Sequence, residues 1–231
     1  MHSLSTIFCL LVLLVSCNDD SADRPSEPTS AEPLTYLALG DSYTIGESVT
    51  AAERYPVQLT ERLNADGLDV EAPKIIATTG WTTRNLIDGI AAEDIEGNTY
   101  DLVSLLIGVN NQFQGKPLPE YRTEFTELLN AAIAFAGGDR ARVFVVSIPD
   151  YGYTPFGQNN QASISAGVDA FNDAARSITL AKEVDFFNIT DISREWAAGD
   201  NTLVASDGLH PSGEQYRRWV ESFYAAVREK F

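Results

Sequence analysis

The sequence predicts an α/β fold, a three-layer α/β/α sandwich built on a five-stranded parallel sheet. The first basis is alternation, because apolar runs rich in β-branched residues take turns with helix-length segments whose apolar residues recur about every 3.6 positions. The second is that the runs VSLLI (103–107) and VFVVSI (143–148) are almost continuously apolar. That pattern is typical of strands buried on both faces, as in a parallel sheet covered by helices.

The predicted elements alternate along one domain, residues 34–231, since a chain of 231 residues has room for one sizeable core. Helix-length segments with amphipathic spacing separate the strands and follow the last one. Strands are expected at residues 34–39, 74–77, 102–107, 143–148 and 184–189. Helices are expected at residues 55–64, 83–90, 119–135, 162–181 and 212–230.

Composition excludes several classes of function. Lys and Arg total 16 against 33 Asp and Glu, which gives a formal net charge of -17. Phosphate backbones attract the opposite charge, so we expect no nucleic-acid partner. With only two cysteines and two histidines, the chain lacks material for a disulfide framework or a zinc site. We therefore expect no metal and no cofactor.

The N-terminal segment predicts export and lipid anchoring. Residues 7–15 form an apolar run of nine residues, too short to span a bilayer but suited to the core of a signal peptide. The following LVSC (14–17) resembles the lipobox of bacterial lipoproteins, which implies a signal peptide at 1–16 and lipidation of Cys17. An ordinary secretory signal or an uncleaved helix stays open, since Lys and Arg are missing before Cys17. We expect an extracytoplasmic, membrane-anchored lipoprotein, on the periplasmic or cell-surface side.

Residues 17–33 predict a disordered tether, because NDDSADRPSEPTSAEP (18–33) is rich in Pro and small polar residues and has no aromatic residue. Removal of the signal peptide would take Cys9 and His2 with it. The mature chain would then hold one histidine, His210.

Short polar motifs lie at the predicted strand exits. GDSY (40–43) follows the first strand, TGW (79–81) the second and GVNN (108–111) the third, while SDGLHPS (206–212) precedes the last helix. Ligand sites in parallel sheets form at the carboxyl ends of the strands. We therefore expect the four loops to converge on one site.

In this order the motifs resemble those of the SGNH hydrolases, also called the GDSL esterase and lipase family, over residues 34–231. The resemblance implies that family's flavodoxin-like α/β fold and ester hydrolysis. It assigns the nucleophile to Ser42 and the other triad members to Asp207 and His210. It assigns the oxyanion hole to the backbone N–H groups of Ser42 and Gly80 and to the side-chain amide of Asn110.

One position departs from the family pattern. The third block of the family often reads G-x-N-D, and here Asn111 stands where that aspartate would be. The change leaves the oxyanion donor Asn110 in place. It puts in question the local hydrogen bonds that the acid makes.

The chemistry of these residue types is consistent with acyl transfer. A serine hydroxyl needs an adjacent base to attack an acyl carbon, and His210 is the only imidazole in the predicted mature chain. Neutral imidazole can accept the Ser42 proton and later protonate the leaving alcohol. Asp207 would bond the other ring nitrogen and fix its tautomer.

Each assignment has a simpler structural alternative. Ser42 can cap the turn or helix that follows the first strand. Gly80 can serve only a positive φ, and Asn110 can cap a turn. Asp207 and His210 can form a surface pair at a helix start, with Asp207 as the cap.

Other polar and aromatic residues of these loops receive weaker roles. We interpret Asp41 as a structural turn acid and Asp150, a rival acid after the fourth strand, as a solvated loop residue. Four aromatic residues can line an acyl or sugar site, with core packing as the alternative: Trp81, Phe113, Tyr153 and Phe156.

The leading hypothesis is a serine esterase that cleaves carboxylic esters, acetyl or short acyl esters, some of them on carbohydrate. The alternatives are a lysophospholipase or thioesterase, an acyltransferase, and a non-catalytic glycan-binding module. The expected partners are a small-molecule or glycan acyl ester and, through the lipid anchor, a membrane. The sequence does not fix the oligomeric state.

Overall fold

Five parallel strands form the central sheet of this computed structural model, which describes residues 32–200 and 202–231. The sheet order is β2-β1-β3-β4-β5, with every neighbouring pair parallel. In register, Leu39 of β1 pairs with Ile76 of β2 on one side and Leu105 of β3 on the other. The strands are β1 (Tyr36–Gly40), β2 (Lys74–Ala77), β3 (Leu102–Leu106), β4 (Val143–Val146) and β5 (Asp185–Phe187).

Helices connect the strands and cover the sheet. They are α1 (Ser42–Ile45), α2 (Tyr55–Ala65), α3 (Thr83–Ala92), α4 (Val109–Phe113), α5 (Leu118–Phe135), α6 (Gln161–Ala181), α7 (Thr190–Ser193) and α8 (Gly213–Arg228). Short 3-10 turns lie at Ala51–Glu53, Arg140–Arg142, Tyr151–Tyr153 and Gln158–Asn160.

The strand order explains why the helices divide into two groups. The connection from β1 to β2 runs one way along the sheet, and the later connections run the other way. Because such crossovers are right-handed, the two directions put their helices on opposite faces. The packing agrees, since α2 packs against α8, while α5 packs against α3 and α6. The predicted three-layer sandwich is confirmed.

The core lies between these layers. Strands β1, β3 and β4 are buried along their whole length, as their continuous apolar sequences predict. On α8, the large side chains of Tyr216, Trp219 and Phe223 recur at helical spacing and are almost fully buried. Burying an aromatic side chain of this size contributes about 1.5–3 kcal/mol, so α8 is a main hydrophobic support of the sheet.

The predicted helix and strand positions are close to the observed ones, and the differences have local causes. The fourth strand ends at Val146 instead of residue 148, because the Asn172 side chain accepts from the Ile148 N–H at 2.9 Å and donates to its carbonyl at 3.0 Å. At Ile148, hydrogen bonds to the Asn172 side chain thus take the place of hydrogen bonds to a neighbouring strand. The last helix begins one residue later, since Ser212 is its N-cap.

The predicted signal peptide, Cys17 and nearly all of the tether lie outside the described residues. In the part of the chain that is described, no helix is both long and apolar enough to cross a membrane.

Candidate active site

Ser42 lies two residues after the end of β1, a strand flanked by β2 and β3, and is the first residue of α1. Gly40 makes the turn possible, because a Cβ there would lie 2.1 Å from Thr44 Oγ1 and 2.5 Å from the Leu106 carbonyl oxygen. Asp41 caps α1, with Oδ1 accepting from the Tyr43 N–H at 3.0 Å. The serine is therefore held at the carboxyl edge of the sheet by a turn that only glycine can enter.

A cavity of about 140 Å³ opens in front of Ser42. Four of the five predicted catalytic and oxyanion residues line it: Ser42, Gly80, Asn110 and His210. The remaining lining is largely apolar and consists of Tyr43, Thr79, Val109, Phe113, Tyr151, Phe156 and Leu209. The four loops thus meet at one place, as the strand-exit pattern predicts.

A larger cavity, about 740 Å³, lies between the C-terminal ends of α3 and α5 and the segment 93–99. None of the predicted site residues lines it. The larger of the two cavities therefore lies away from the loops in which the predicted site residues converge.

Asp207 and His210 form a tight pair within one loop. His210 Nδ1 lies 2.5 Å from Asp207 Oδ2, and Asp207 Oδ1 accepts from the backbone N–H groups of Leu209 at 2.9 Å and His210 at 3.0 Å. Partial burial raises the pKa of Asp207, but the hydrogen bonds from Ser48, His210 and these amides outweigh it and hold the pKa well below its usual range. Asp207 is thus ionised and able to orient the imidazole.

The Ser42 hydroxyl and the His210 ring face the same cavity. No hydrogen bond joins the two among the contacts of the described residues. Hydrogen bonds of catalytic pairs are often long in ligand-free proteins and shorten when substrate binds. The Tyr43 ring packs edge-on against the imidazole, with ring centroids 5.7 Å apart, and so limits its movement.

Gly80 and Asn110 line the same cavity from the exits of β2 and β3. Gly80 has φ +84°, a left-handed conformation that favours glycine. One N–H of the Asn110 amide donates to the Trp81 carbonyl at 3.0 Å, which fixes the orientation of the amide. Gln114 also donates to the Gly80 carbonyl at 3.4 Å, so both turns are tied together.

Behind Asn110, its neighbour Asn111 is buried and bonded to Thr83. Asn111 Oδ1 accepts from the Thr83 N–H at 3.0 Å, and Nδ2 donates to Thr83 Oγ1 at 2.7 Å. The Thr83 hydroxyl in turn donates to the buried carboxylate of Glu124, which also accepts from Arg84 Nε at 3.0 Å. The hydrogen bonds from Asn111 through Thr83 to Glu124 form a relay. An aspartate at position 111 could not donate to Thr83, so this relay uses the amide that departs from the family pattern.

The sequence of residues 38–218 matches the model of the GDSL-like lipase/acylhydrolase family, a span of well over half the chain. The chain belongs to this family. As a GDSL family member it is an ester-hydrolysing enzyme.

Solved structures share the GDSL fold of this chain at low sequence identity. TesA superposes with a TM-score of 0.66 at 17% identity, covering 85% of this chain and 99% of its own. The psychrotrophic esterase EstA from Pseudoalteromonas sp. gives a TM-score of 0.63 at 19% identity, covering 85% and 97%. The acetyl xylan esterase AlAXEase gives 0.66 at 14% identity, covering 84% and 100%. No curated protein matches the sequence significantly.

The predicted substrate-lining residues of this GDSL enzyme divide into two pairs. Phe113 and Phe156 line the cavity and are 58% and 55% exposed. Trp81 instead packs over α3, where a Cβ on Gly89 would lie 2.3 Å from its ring. Tyr153 lines a small crevice behind Tyr43 rather than the cavity.

The interpretation of Asp150 as a solvated residue is wrong. Asp150 is fully buried, with Oδ2 accepting from Arg194 Nε at 2.9 Å and Oδ1 from the Gly152 N–H at 2.9 Å. Arg194 also bonds Asp169 at 2.6 Å. The carboxylate thus avoids an unpaired buried charge by fastening the loop after β4 to α7.

The sequence did not predict two residues of the site, Tyr151 and Ser48. Tyr151 lines the cavity, and its hydroxyl donates to Gln112 at 2.8 Å. Ser48 donates to the Asp207 carboxylate at 2.7 Å. Tyr151 could have been predicted from its position next to Asp150 at a strand exit, whereas no sequence motif marks Ser48. No group of three or more His, Cys, Asp or Glu within residues 32–200 and 202–231 is arranged to hold a metal ion.

Proposed function

We propose that this enzyme is a serine esterase that works through an acyl-enzyme on Ser42, with His210 as base and Asp207 as the orienting acid. The observation that carries the proposal is the shared cavity of Ser42, Gly80, Asn110 and His210. A nucleophile, a base and two sources of oxyanion donors are the set that acyl transfer requires.

In the first half-reaction, Ser42 Oγ attacks the ester carbonyl carbon while His210 Nε2 takes its proton. The C–O bond to the leaving alcohol then breaks, and the imidazolium returns the proton to the alcohol oxygen. In the second half-reaction, water loses its proton to His210 and attacks the acyl carbon, and Ser42 leaves with that proton. Asp207 holds the Nδ1–H throughout and stabilises the imidazolium.

The oxyanion formed in each half-reaction needs fixed donors. The backbone N–H groups of Ser42 and Gly80 and the side-chain amide of Asn110 supply them in this proposal. Each is preorganised, since Gly80 lies in a left-handed turn and Asn110 is tied to the Trp81 carbonyl. Loss of one such donor typically raises the barrier by about 2.7–4 kcal/mol.

The shape of the cavity favours a short acyl group. Its volume is about 140 Å³. An acetyl to butyryl group fits this space, whereas a long lipid chain would have to extend over the rim. The net charge of -17 also disfavours anionic substrates.

The aromatic rim of the cavity, half-exposed at Phe113 and Phe156, favours a substrate that extends beyond the acyl group. Phe113, Tyr151 and Phe156 contact one another, with ring centroids 6.0–6.4 Å apart. Such a rim can hold a sugar ring, which supports esters on carbohydrate, or an aliphatic chain, which supports lysophospholipase or thioesterase activity as the second candidate.

Initial rates on p-nitrophenyl acetate, butyrate and octanoate test this proposal, with a soluble form beginning at Ala31. Ser42→Ala should abolish turnover, while Ser222→Ala, a serine on α8 outside the cavity, should not change it. The proposal predicts acetate and butyrate as the better substrates, and a preference for octanoate would favour the lipid-directed candidate. Turnover unchanged in Ser42→Ala would refute the serine mechanism.

We also propose that Cys17 carries a lipid that holds the enzyme on the extracytoplasmic side of a membrane. The basis is the apolar run 7–15 followed by LVSC (14–17). Expression with labelled palmitate should label the wild type and Cys9→Ser but not Cys17→Ser. Label that persists in Cys17→Ser would exclude this anchor.

A further inference from the structure

Ser48 makes a hydrogen bond that joins the two halves of the candidate site. Its hydroxyl donates to Asp207 Oδ2 at 2.7 Å, the same oxygen that lies 2.5 Å from His210 Nδ1. The two residues are 159 positions apart in the chain. A side chain from the loop after the nucleophile thus contacts the predicted acid directly.

The backbone at Ser48 adopts an unfavourable conformation to make this contact. Its φ is +65°, and among the described residues only Glu183, with φ +56°, shares a positive φ without being glycine. The left-handed region is unfavourable for an L residue, and such strain is often found at functional sites. Glycine would adopt the same backbone without that cost, so the hydroxyl is the feature that distinguishes serine here.

The loop that carries Ser48 is tied to Ser42. The N–H groups of Gly46 and Glu47 both donate to the Ser42 carbonyl at 3.0 Å. Two hydrogen bonds therefore connect the backbone of the nucleophile to the residues before Ser48, and a third connects Ser48 to Asp207. The Ser42 backbone is thus linked to the Asp207 carboxylate through residues 46–48 and the hydrogen bonds at the two ends of this short segment.

The other contacts of the Asp207 carboxylate come from its own loop, namely the amides of Leu209 and His210 and the His210 ring. These contacts shape the loop but cannot fix it relative to β1. The Asp207 side chain is 29% exposed, so water would take the place of Ser48 if its hydroxyl were absent.

We propose that Ser48 is a positioning residue, which sets the Asp207–His210 pair at its working distance from Ser42. The proposal rests on the proposed serine mechanism for its effect on rate, and on the structure alone for its effect on Asp207. It predicts that removing the hydroxyl lowers kcat more than it raises KM, because Ser48 does not line the cavity that would hold substrate.

Steady-state kinetics of the full chain with Ser48→Gly and Ser48→Ala separate the hydroxyl from the backbone. Both variants lack the hydroxyl, but only glycine relieves the positive φ. We expect both to lower kcat by about 10-fold, the change in rate that corresponds to one hydrogen bond of about 1.4 kcal/mol, with KM within about twofold of the wild type. Ser48→Gly should be at least as thermostable as the wild type, so unfolding would not explain its loss of rate.

Glu183→Gly is the matched control, because it relaxes the other positive φ at a residue that pairs with Arg140, at the opposite end of the sheet from the cavity. It should leave kcat unchanged. Wild-type kcat in Ser48→Gly would overturn the proposal, as would a loss confined to Ser48→Ala, which would assign the effect to backbone strain.

Proton NMR of the His210 Nδ1–H tests the same contact without turnover. A proton held between imidazole and carboxylate resonates far downfield. Loss of this resonance in His210→Gln assigns it to His210 and not to His2. The resonance should shift in Ser48→Gly and stay in place in Glu183→Gly, and an unshifted resonance would overturn the proposal. If the wild type hydrolyses no ester, the proposed function fails, and this spectrum alone decides the role of Ser48.

Discussion

Oδ2 of Asp207 lies 2.5 Å from Nδ1 of His210, within a loop in which only two residues separate them. Gly208, with φ +74°, turns the chain between them. The amides of Leu209 and His210 bond the other carboxylate oxygen and fix its direction. The geometry of the pair is therefore set locally, whereas its distance from Ser42 depends on contacts between loops.

Asp41 should make stability depend on pH. Complete burial raises its pKa from 3.8 to about 7, against the opposing effect of the nearby Tyr43 and Gly108 amides and the Asn110 side chain. The folded protein therefore binds a proton that the unfolded chain releases near pH 4. Stability should fall as the pH rises from about 4 to 7 and level off above, by an amount on the order of 4 kcal/mol.

Thermal unfolding of Asp41→Asn across this range measures the effect. The variant cannot ionise at this position, so its melting temperature relative to the wild type should rise from pH 4 to 7 and stay constant above. Asp88→Asn, an exposed carboxylate on α3, controls for the loss of one negative charge. A difference between Asp41→Asn and wild type that does not vary with pH would contradict the prediction.

Asn111→Asp should destabilise the enzyme although it restores the usual family residue. Thr83 has one hydroxyl proton, which Glu124 already accepts, and aspartate has no N–H to donate to Thr83 Oγ1. Two buried carboxylates would compete for one proton, with an expected loss of about 1–3 kcal/mol in the free energy of unfolding. Because Asn110 is adjacent, kcat should fall as well.

The double variant Asn111→Asp with Glu124→Gln provides the matched test. The introduced glutamine amide can donate to the Thr83 hydroxyl oxygen, and that hydroxyl can then donate to the introduced aspartate. Chemical denaturation should therefore show most of the lost stability regained. Equal stability of Asn111→Asp and the wild type would show that the relay does not require the amide.

The aromatic rim should affect KM rather than kcat. Phe113→Ala and Phe156→Ala remove half-exposed rings that line the cavity without supplying a reacting group. We expect KM for p-nitrophenyl butyrate to rise about two- to fivefold, which corresponds to about 0.5–1 kcal/mol of lost apolar contact. Leu180→Ala, a 48% exposed residue on α6 outside the cavity, is the control. Unchanged KM in both phenylalanine variants would remove the rim from the substrate site.

Most of the fold was predictable because a parallel sheet buried on both faces requires long apolar runs in its strands. The runs 102–107 and 143–148 show this most clearly. The short helices α1, α4 and α7 were missed, since segments of four or five residues carry no usable periodicity. They are defined by caps and by the strand exits that precede them.

The candidate site was predictable where its residues lie in short motifs and not where contacts are distant. The burial of Asp150 depends on Arg194, 44 positions later, and the contact of Ser48 with Asp207 spans 159 positions. Trp81 also turns toward Gly89 instead of the cavity, a choice that depends on how α3 packs. Such contacts depend on tertiary packing, and no local sequence motif predicts them.

Labelling with a fluorophosphonate, followed by intact-mass and peptide mapping, tests the serine mechanism most directly. The reagent reports which hydroxyl the protein activates, whatever the natural ester. The mechanism predicts one adduct per chain, on Ser42, loss of ester hydrolysis in proportion to labelling, and no adduct in Ser42→Ala. An adduct on another residue, or full hydrolysis by a fully labelled enzyme, would contradict it.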